Sequence, residues 1–310
     1  MKGLDELSGP TQARQHAAHD ADPVFRALPG SLYVVATPLG NLRDMTLRAL
    51  DVLATANVIA AEDTRVTATL LRRYGIATKA ISLHAHNEAG RVVTLLAMLG
   101  AGKSVALVSD AGTPAISDPG ARLVRAARDA GYPVIPLPGP SALATAISAA
   151  GLDAEAFVFL GFLPQQAKAR GERLAAFSGL PVAIVIYEAP HRVRATVADL
   201  AAALGTDRAL VVGRELTKAF ETITRLSLGD ADAWFAADPN RERGEFVLIV
   251  DAPLLREHSA DEILTAEAER WLVALLQELP PARAARVIAA MTGIKRDVVY
   301  ARALALKPPA

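Results

Sequence analysis

The stretch "VALVSDAGTPAISDPG", Val105 to Gly120, decides the fold. Val105–Val108 is an apolar run with no polar alternation, which reads as a strand buried on both faces. The run stops at Ser109 and Asp110, and a loop of glycines, prolines, small hydroxyls and a second carboxylate, Asp118, follows. Such strands sit at the centre of parallel sheets, and these sheets bind ligands beyond the C-terminal ends of their strands. This loop holds no lysine or arginine. A phosphate site would want one, so the loop points to a different ligand.

Outward from this stretch, strands and helices alternate. "LYVVAT", "VIAAEDTR" and "AISLHAHNE" read as strands upstream, and "PVIPLP" as one downstream. Helical spacing marks "TLRALDVLATA", "VTATLLRRYGI", "GRVVTLLAMLGAG", "ARLVRAARDAGY" and "GPSALATAISAAG". The alternation predicts an α/β domain over 31–150, a parallel sheet covered on both faces. Residues 1–30 are a polar lead-in, expected to be a disordered tail. A composition change at Ala149–Ala156 marks a domain joint. "FVFLGFLP", "PVAIVIYEAP", "RALVVGREL" and "EFVLIVDAP" then give a second α/β domain over 151–253. Residues 254–310 read as helical. Leu264, Trp271, Leu272, Leu275 and Leu279 share one helical face, and a helix–turn–helix hairpin follows. From Pro281 to Ala310 there are six cations and one acid, Asp297, a net +5. That hairpin is either a solvated cover for the second domain or a contact for RNA phosphates.

Composition narrows the function. The chain has 310 residues, with Lys+Arg 33 against Asp+Glu 33, so it has no global field for nucleic acid and needs a local patch. Cysteine is absent, which excludes disulfides and thiolate sites and fits a reducing cytoplasm. No apolar stretch approaches the ~18 residues of a membrane span, and no apolar leader is expected.

Two nucleotide-binding patterns fail. "LGAGKSVALVS" resembles the end of a phosphate loop, but Ala97 stands where the pattern needs glycine, and the segment precedes a strand. No G-x-G-x-x-G occurs. What remains is five polar loops at strand ends: "ATPLGNLRDMT", "EDTR", "LHAHNE", the opening stretch and "PLPGPSAL". A parallel sheet puts all five on one rim, where carboxylates and bare amides suit hydroxyls, an amine or an adenine edge.

In this order, "LYVVATPLGNLRDMTLRAL", "AAEDTR", "LVSDAGTPAISDPG", "PLPGPSAL", "FLGFLP", "YEAPHR" and "GRELTKAFE" resemble the tetrapyrrole-methylase superfamily. Within it they are similar to the RsmI group of 16S rRNA (cytidine-2'-O)-methyltransferases, from about Leu32 to the C-terminus. The resemblance implies two αβα domains, a mainly parallel N-terminal sheet and a mixed second sheet, with the C-terminal helical hairpin appended. It also implies a homodimer that uses S-adenosylmethionine on a decoding-centre cytidine of the small ribosomal subunit. Cofactor contacts are implied at Pro38, Leu39, Gly40, Asp110, Ala111, Gly112, Thr113, Ser141 and Ala142. The cofactor's sulfonium and ammonium are cations, which answers why the Asp110 loop lacks them.

A ribose hydroxyl reacts once its proton leaves, and a positioned base contributes roughly 10²–10⁴-fold. Glu62, Asp63 and Glu221 are first candidates, with Glu88, Glu188 and Glu215 behind them. Lys218 would stabilise an alkoxide or contact phosphate; if "LTKAFE" is helical, Lys218 and Glu221 form an i,i+3 pair instead. Arg65, Arg192, Arg214, Lys295 and Arg296 are candidate RNA contacts, or else ordinary surface ion pairs. His84 and His86 share a side if their run is a strand, but lack a third ligand, so no metal is expected. Two other functions stay open: C-methylation of a tetrapyrrole precursor within the same superfamily, and RNA binding without catalysis.

Overall fold

The computed structural model describes residues 25–253, 264 and 266–306. The expectation for the tail therefore lies outside the described residues up to 24, and Lys307 does as well.

In the first half, β1 (Leu32–Val35), α1 (Leu47–Thr55), β2 (Val58–Ala61), α2 (Thr64–Arg73), β3 (Ala80–Ser82), α3 (Glu88–Gly100), β4 (Val105–Val108), α4 (Ala121–Asp129), β5 (Val134–Leu137) and α5 (Ala142–Ala150) alternate. The five strands form one sheet in the order β3-β2-β4-β1-β5, and every pairing is parallel. β4 is the central strand and all four of its residues are buried, as its unbroken apolar run predicts. Cores lie on both faces, one around Tyr33, Leu53 and Ile59, the other around Leu32, Leu95 and Leu123.

The second half contains β6 (Phe157–Phe162), α6 (Ala167–Ala175), β7 (Ala183–Glu188), α7 (Val193–Leu204), β8 (Ala209–Arg214), β9 (Thr222–Ser227), α8 (Ala231–Ala236) and β10 (Phe246–Val250). Their order is β6-β7-β10-β8-β9. Only β6 and β7 run parallel; the other pairings are antiparallel, so this sheet is mixed. α5 caps with Gly151 in the left-handed region, φ 56°, and its Ala146 and Ala150 pack on Val185, Val211 and Ile249 of this second sheet.

Three local readings need correction. "TITRLS" is strand β9, unread in the sequence because an edge strand with one exposed face carries polar residues at alternate positions. "LTKAFE" is a run of turns, so Lys218 and Glu221 are not helical neighbours. β3 ends at Ser82, which leaves His84 and His86 in a turn with their rings edge-to-face at 6.0 Å. Among the described residues no group of three His, Cys, Asp or Glu side chains is placed to hold a metal.

The chain forms two compact units: the first takes in both sheets, and the second the C-terminal helices. In the second, α9 (Ala266–Glu278), α10 (Pro281–Thr292) and α11 (Arg296–Leu306) enclose their own core of Leu272, Ala284, Ala285, Ile288, Val299 and Ala303. α10 starts on Pro281 and ends on Gly293 at φ 72°, the proline-first, glycine-last arrangement that fixes a helix between two turns. No described helix is long and apolar enough to cross a membrane.

Candidate active-site cavity

A cavity of about 390 Å³ opens beyond the C-terminal ends of the first sheet and takes its other wall from the second. The loops that shape it are tied to one another. Thr37 after β1 and Gly112 after β4 exchange both backbone hydrogen bonds at 2.9 Å, and the Thr37 hydroxyl donates to Ser109 O at 3.0 Å. The Thr113 hydroxyl donates to Pro140 O at 2.9 Å, which joins the β4 loop to the β5 loop. A Cβ on Gly139 would come within 2.8 Å of the Ala36 side chain, so glycine is what lets β1 and the β5 loop approach this closely.

The lining is acidic on one side and apolar on the other. Among the described residues, five carboxylates border the cavity, those of Glu62, Asp110, Asp118, Glu188 and Glu245, and no lysine, arginine or histidine does. Glu188 is buried and spent on its own domain. It accepts from the Thr196 hydroxyl at 2.6 Å and pairs with Arg192 at 3.2 Å. Glu245 holds Lys218 Nζ at 2.8 Å. The other three face the space without a cation. Asp63 N–H donates to Asp110 Oδ1 at 3.0 Å, and Asp110 N–H to Glu62 Oε2 at 3.4 Å. Burial pushes the Glu62 and Asp110 carboxyls up, and the neighbouring acids add to this. Burial, then the charge of Glu62, lifts Asp118 to about 6. Three desolvated acids repelling one another form a site that a cation stabilises.

The residues expected at the cofactor divide as follows. Leu39, Asp110, Ala111, Gly112, Thr113, Ser141 and Ala142 all line the cavity, as does Glu62. Pro38 is buried and does not line the cavity, and Gly40 is exposed, close against the stem of Lys218. Ser141 caps α5, its hydroxyl accepting from Ala144 N–H. Asp63 caps α2 and binds the Arg65 guanidinium at 2.6 Å. The Arg65 hydrogen bonds hold the Asp63 carboxyl down to about 2, so Asp63 is a poor proton acceptor. Glu88 is buried elsewhere, where it accepts from Gly120 N–H at 3.1 Å.

Lys218 reaches Glu215 and Glu245, each at 2.8 Å. Glu221 instead accepts from Thr217 N–H at 2.6 Å. This loop is held in shape by two non-glycine residues in the left-handed region, Glu215 and Thr217, and by buried Arg214. The Arg214 guanidinium donates to Arg243 O at 2.7 Å and Phe220 O at 3.0 Å. Arg192 donates to Leu163 O at 2.7 Å. Arg65 is 90% exposed at its side chain. Lys295 and Arg296 are exposed at the start of α11 in the second unit.

Phe162, Tyr187 and Glu245 also line the cavity and were not singled out from the sequence. Asp118 was read only as the second carboxylate of the opening stretch, and its distance from the strand end hid its place in the site. The Tyr187 hydroxyl accepts from Leu143 N–H at 3.0 Å, which fixes the ring against α5.

Comparison with known proteins agrees with this fold. The family model described as Tetrapyrrole (Corrin/Porphyrin) Methylases matches residues 31–232, and the RsmI C-terminal HTH domain matches 262–307. Ribosomal RNA small subunit methyltransferase I of Escherichia coli O157:H7 is 48% identical over 275 residues, covering 89% of this chain and 95% of that protein. Among solved structures, the cobalt precorrin-4 methyltransferase CbiF superposes with a TM-score of 0.55 at 18% identity, over 72% of this chain and 95% of that one. Uroporphyrin-III C-methyltransferase from Thermus thermophilus gives 0.51 at 19% identity, over 71% and 97%. The chain belongs to the tetrapyrrole methylase family, and within it to the ribosomal RNA small subunit methyltransferase I group.

Proposed function

We propose that this chain transfers a methyl group from S-adenosylmethionine to the ribose 2'-hydroxyl of a decoding-centre cytidine in small-subunit rRNA. One observation carries the reading: three carboxylates without a cation partner, Glu62, Asp110 and Asp118, on a mostly apolar cavity at the strand ends of a methylase fold. The donor set fits a ligand with a sulfonium and an ammonium and would repel a nucleoside triphosphate. The names of the relatives support the RNA substrate, and the Thermus thermophilus neighbour is a complex with S-adenosylhomocysteine.

Asp110, the Ala111–Thr113 backbone, Leu39, Ser141 and Ala142 would hold the cofactor, with Pro38 and Gly40 shaping the loop beneath. When bound, S-adenosylmethionine supplies a methyl group made electrophilic by positive sulfur. Glu62 keeps Oε2 on the Asp110 amide and takes the hydroxyl proton at Oε1; its raised pKa makes it the stronger base. Asp63 orients Asp110 through its amide, and Glu221 orders the Lys218 loop through Thr217. Exposed Arg65, Lys295 and Arg296 meet RNA phosphates, and Lys218 joins them when it leaves Glu245. Arg192 and Arg214 serve by shaping the loops they bind. A cytoplasmic homodimer acting on the ribosomal subunit completes the proposal.

The test is to incubate the protein with tritiated S-adenosylmethionine and either 30S particles or naked 16S rRNA, then digest the RNA to nucleosides. Label in 2'-O-methylcytidine is expected. Label on a base carbon or nitrogen, or none, overturns the proposal, and label on a tetrapyrrole precursor alone would assign the small-molecule reaction.

A further inference from the structure

Resting on that function, we infer that Phe162 is the platform on which the target nucleobase of the RNA stacks. Phe162 ends β6 and lines the cavity, yet is 54% exposed. Of the exposed aromatic rings among the described residues, it is the one that borders this space.

Its position comes from a defect in the sheet. The β6–β7 register runs Phe159 to Val185 and then Gly161 to Ile186, so β6 carries one extra residue. In unbroken register, Phe162 would stand opposite Glu188. It would then share the face of Val158 and Leu160, which pack into the core of Ile184 and Ile186. The extra residue sets Phe162 opposite Tyr187 and turns it to the cavity face. There Phe159, Tyr187 and Phe162 form an edge-to-face series at 4.8 and 5.8 Å. Gly161 permits the bulge: its φ is 64°, and a Cβ there would lie 2.9 Å from Ser117 Oγ. Bulges beside active sites re-aim side chains, and this one takes a phenylalanine out of a core position and shows it to solvent.

The charge of the cavity selects what covers that ring. RNA phosphates are repelled by Glu62, Asp110 and Asp118, so the neutral ribose and base are the parts of a nucleotide that enter this cavity, the hydroxyl toward Glu62 and the base toward Phe162. Single-stranded RNA is commonly recognised through splayed bases that stack on aromatic side chains. An edge-on Tyr187 fixed by Leu143 N–H backs the platform and keeps it from folding inward.

The test measures KM for 30S particles, cofactor affinity by calorimetry and solution mass by light scattering on Phe162→Ala, Phe162→Leu and Phe162→Trp. Expected results are a KM about ten- to a hundred-fold higher for both Ala and Leu, and recovery by Trp. Cofactor affinity and mass are expected to stay unchanged. Leu matching the wild type would show that apolar bulk suffices and overturn stacking. Equal loss of cofactor affinity would assign the ring to the adenine of the cofactor, and a changed mass to a contact with a second copy; either overturns the inference. Wild-type protein that leaves no label on rRNA overturns the proposed function itself, and that is seen before any variant is assayed.

Discussion

A Cβ placed on Gly40 would lie 2.3 Å from Lys218 Cγ. The loop after β1 and the loop after β8 therefore touch with no room for a methyl group. Gly40→Ala must displace the stem of Lys218, the part of that side chain least free to move, and with it the bridges to Glu215 and Glu245. Overpacking of this kind costs about 1–3 kcal/mol. Urea denaturation should register that loss, while kcat/KM falls more sharply, by up to about 10²-fold, because the loop is misplaced over the cavity.

Asp118 makes stability depend on pH in a stated direction. Its folded carboxyl titrates at about 6 against an ordinary value of 3.8. Between those values the folded state binds the extra proton, so stability falls as pH rises from about 4 through 6. Asp118→Asn should raise Tm at pH 7.5 and leave it unchanged near pH 4, which calorimetry at the two pH values checks. In the wild type, affinity for a cationic cofactor should weaken as pH drops from 7 to 5; no change would remove Asp118 from the cofactor's field.

Glu88 anchors the far end of the same loop. Its buried Oε1 accepts from Gly120 N–H, and Gly120 sits at φ 122° with Leu107 Cδ2 2.6 Å from any added Cβ. Glu88→Ala strands that amide, at about 1–3 kcal/mol. Glu88→Gln keeps the acceptor and should keep most of the stability. Equal urea midpoints for both variants would show that the charge and not the hydrogen bond matters.

Arg214 ties the Lys218 loop from below through three acceptors, Arg243 O, Phe220 O and Thr222 Oγ1. Arg214→Ala should open residues 215–221 to limited proteolysis and lower kcat, at about 1–3 kcal/mol per stranded carbonyl. Arg214→Lys reaches fewer acceptors and should lie between. A loop that resists protease in the alanine variant would show that Glu215 and Thr217 keep their left-handed conformation unaided.

Much of the site was legible because its residues lie at strand ends. Asp110, Gly112 and Ser141 each lie within four residues of an apolar strand's end, and a parallel sheet has only one rim on which to put them. Asp118 lies eight residues past Asp110, and left-handed Ala115 and Ser117 turn the chain back toward the cavity. No periodicity announces that return. Phe162 was hidden for a related reason: alternation along "FVFLGF" puts it on the core face, and only the bulge moves it.

Local sequence thus determined the strands other than β9, the helices of the first sheet and the sign of the ligand's charge, because burial on two faces and the lack of a basic residue are properties of short segments. Tertiary structure decided which acids meet, which arginines are spent on carbonyls and where the aromatic ring points. Those outcomes depend on loops closing on one another and on one extra residue in a strand, and neither leaves a periodic trace in the chain.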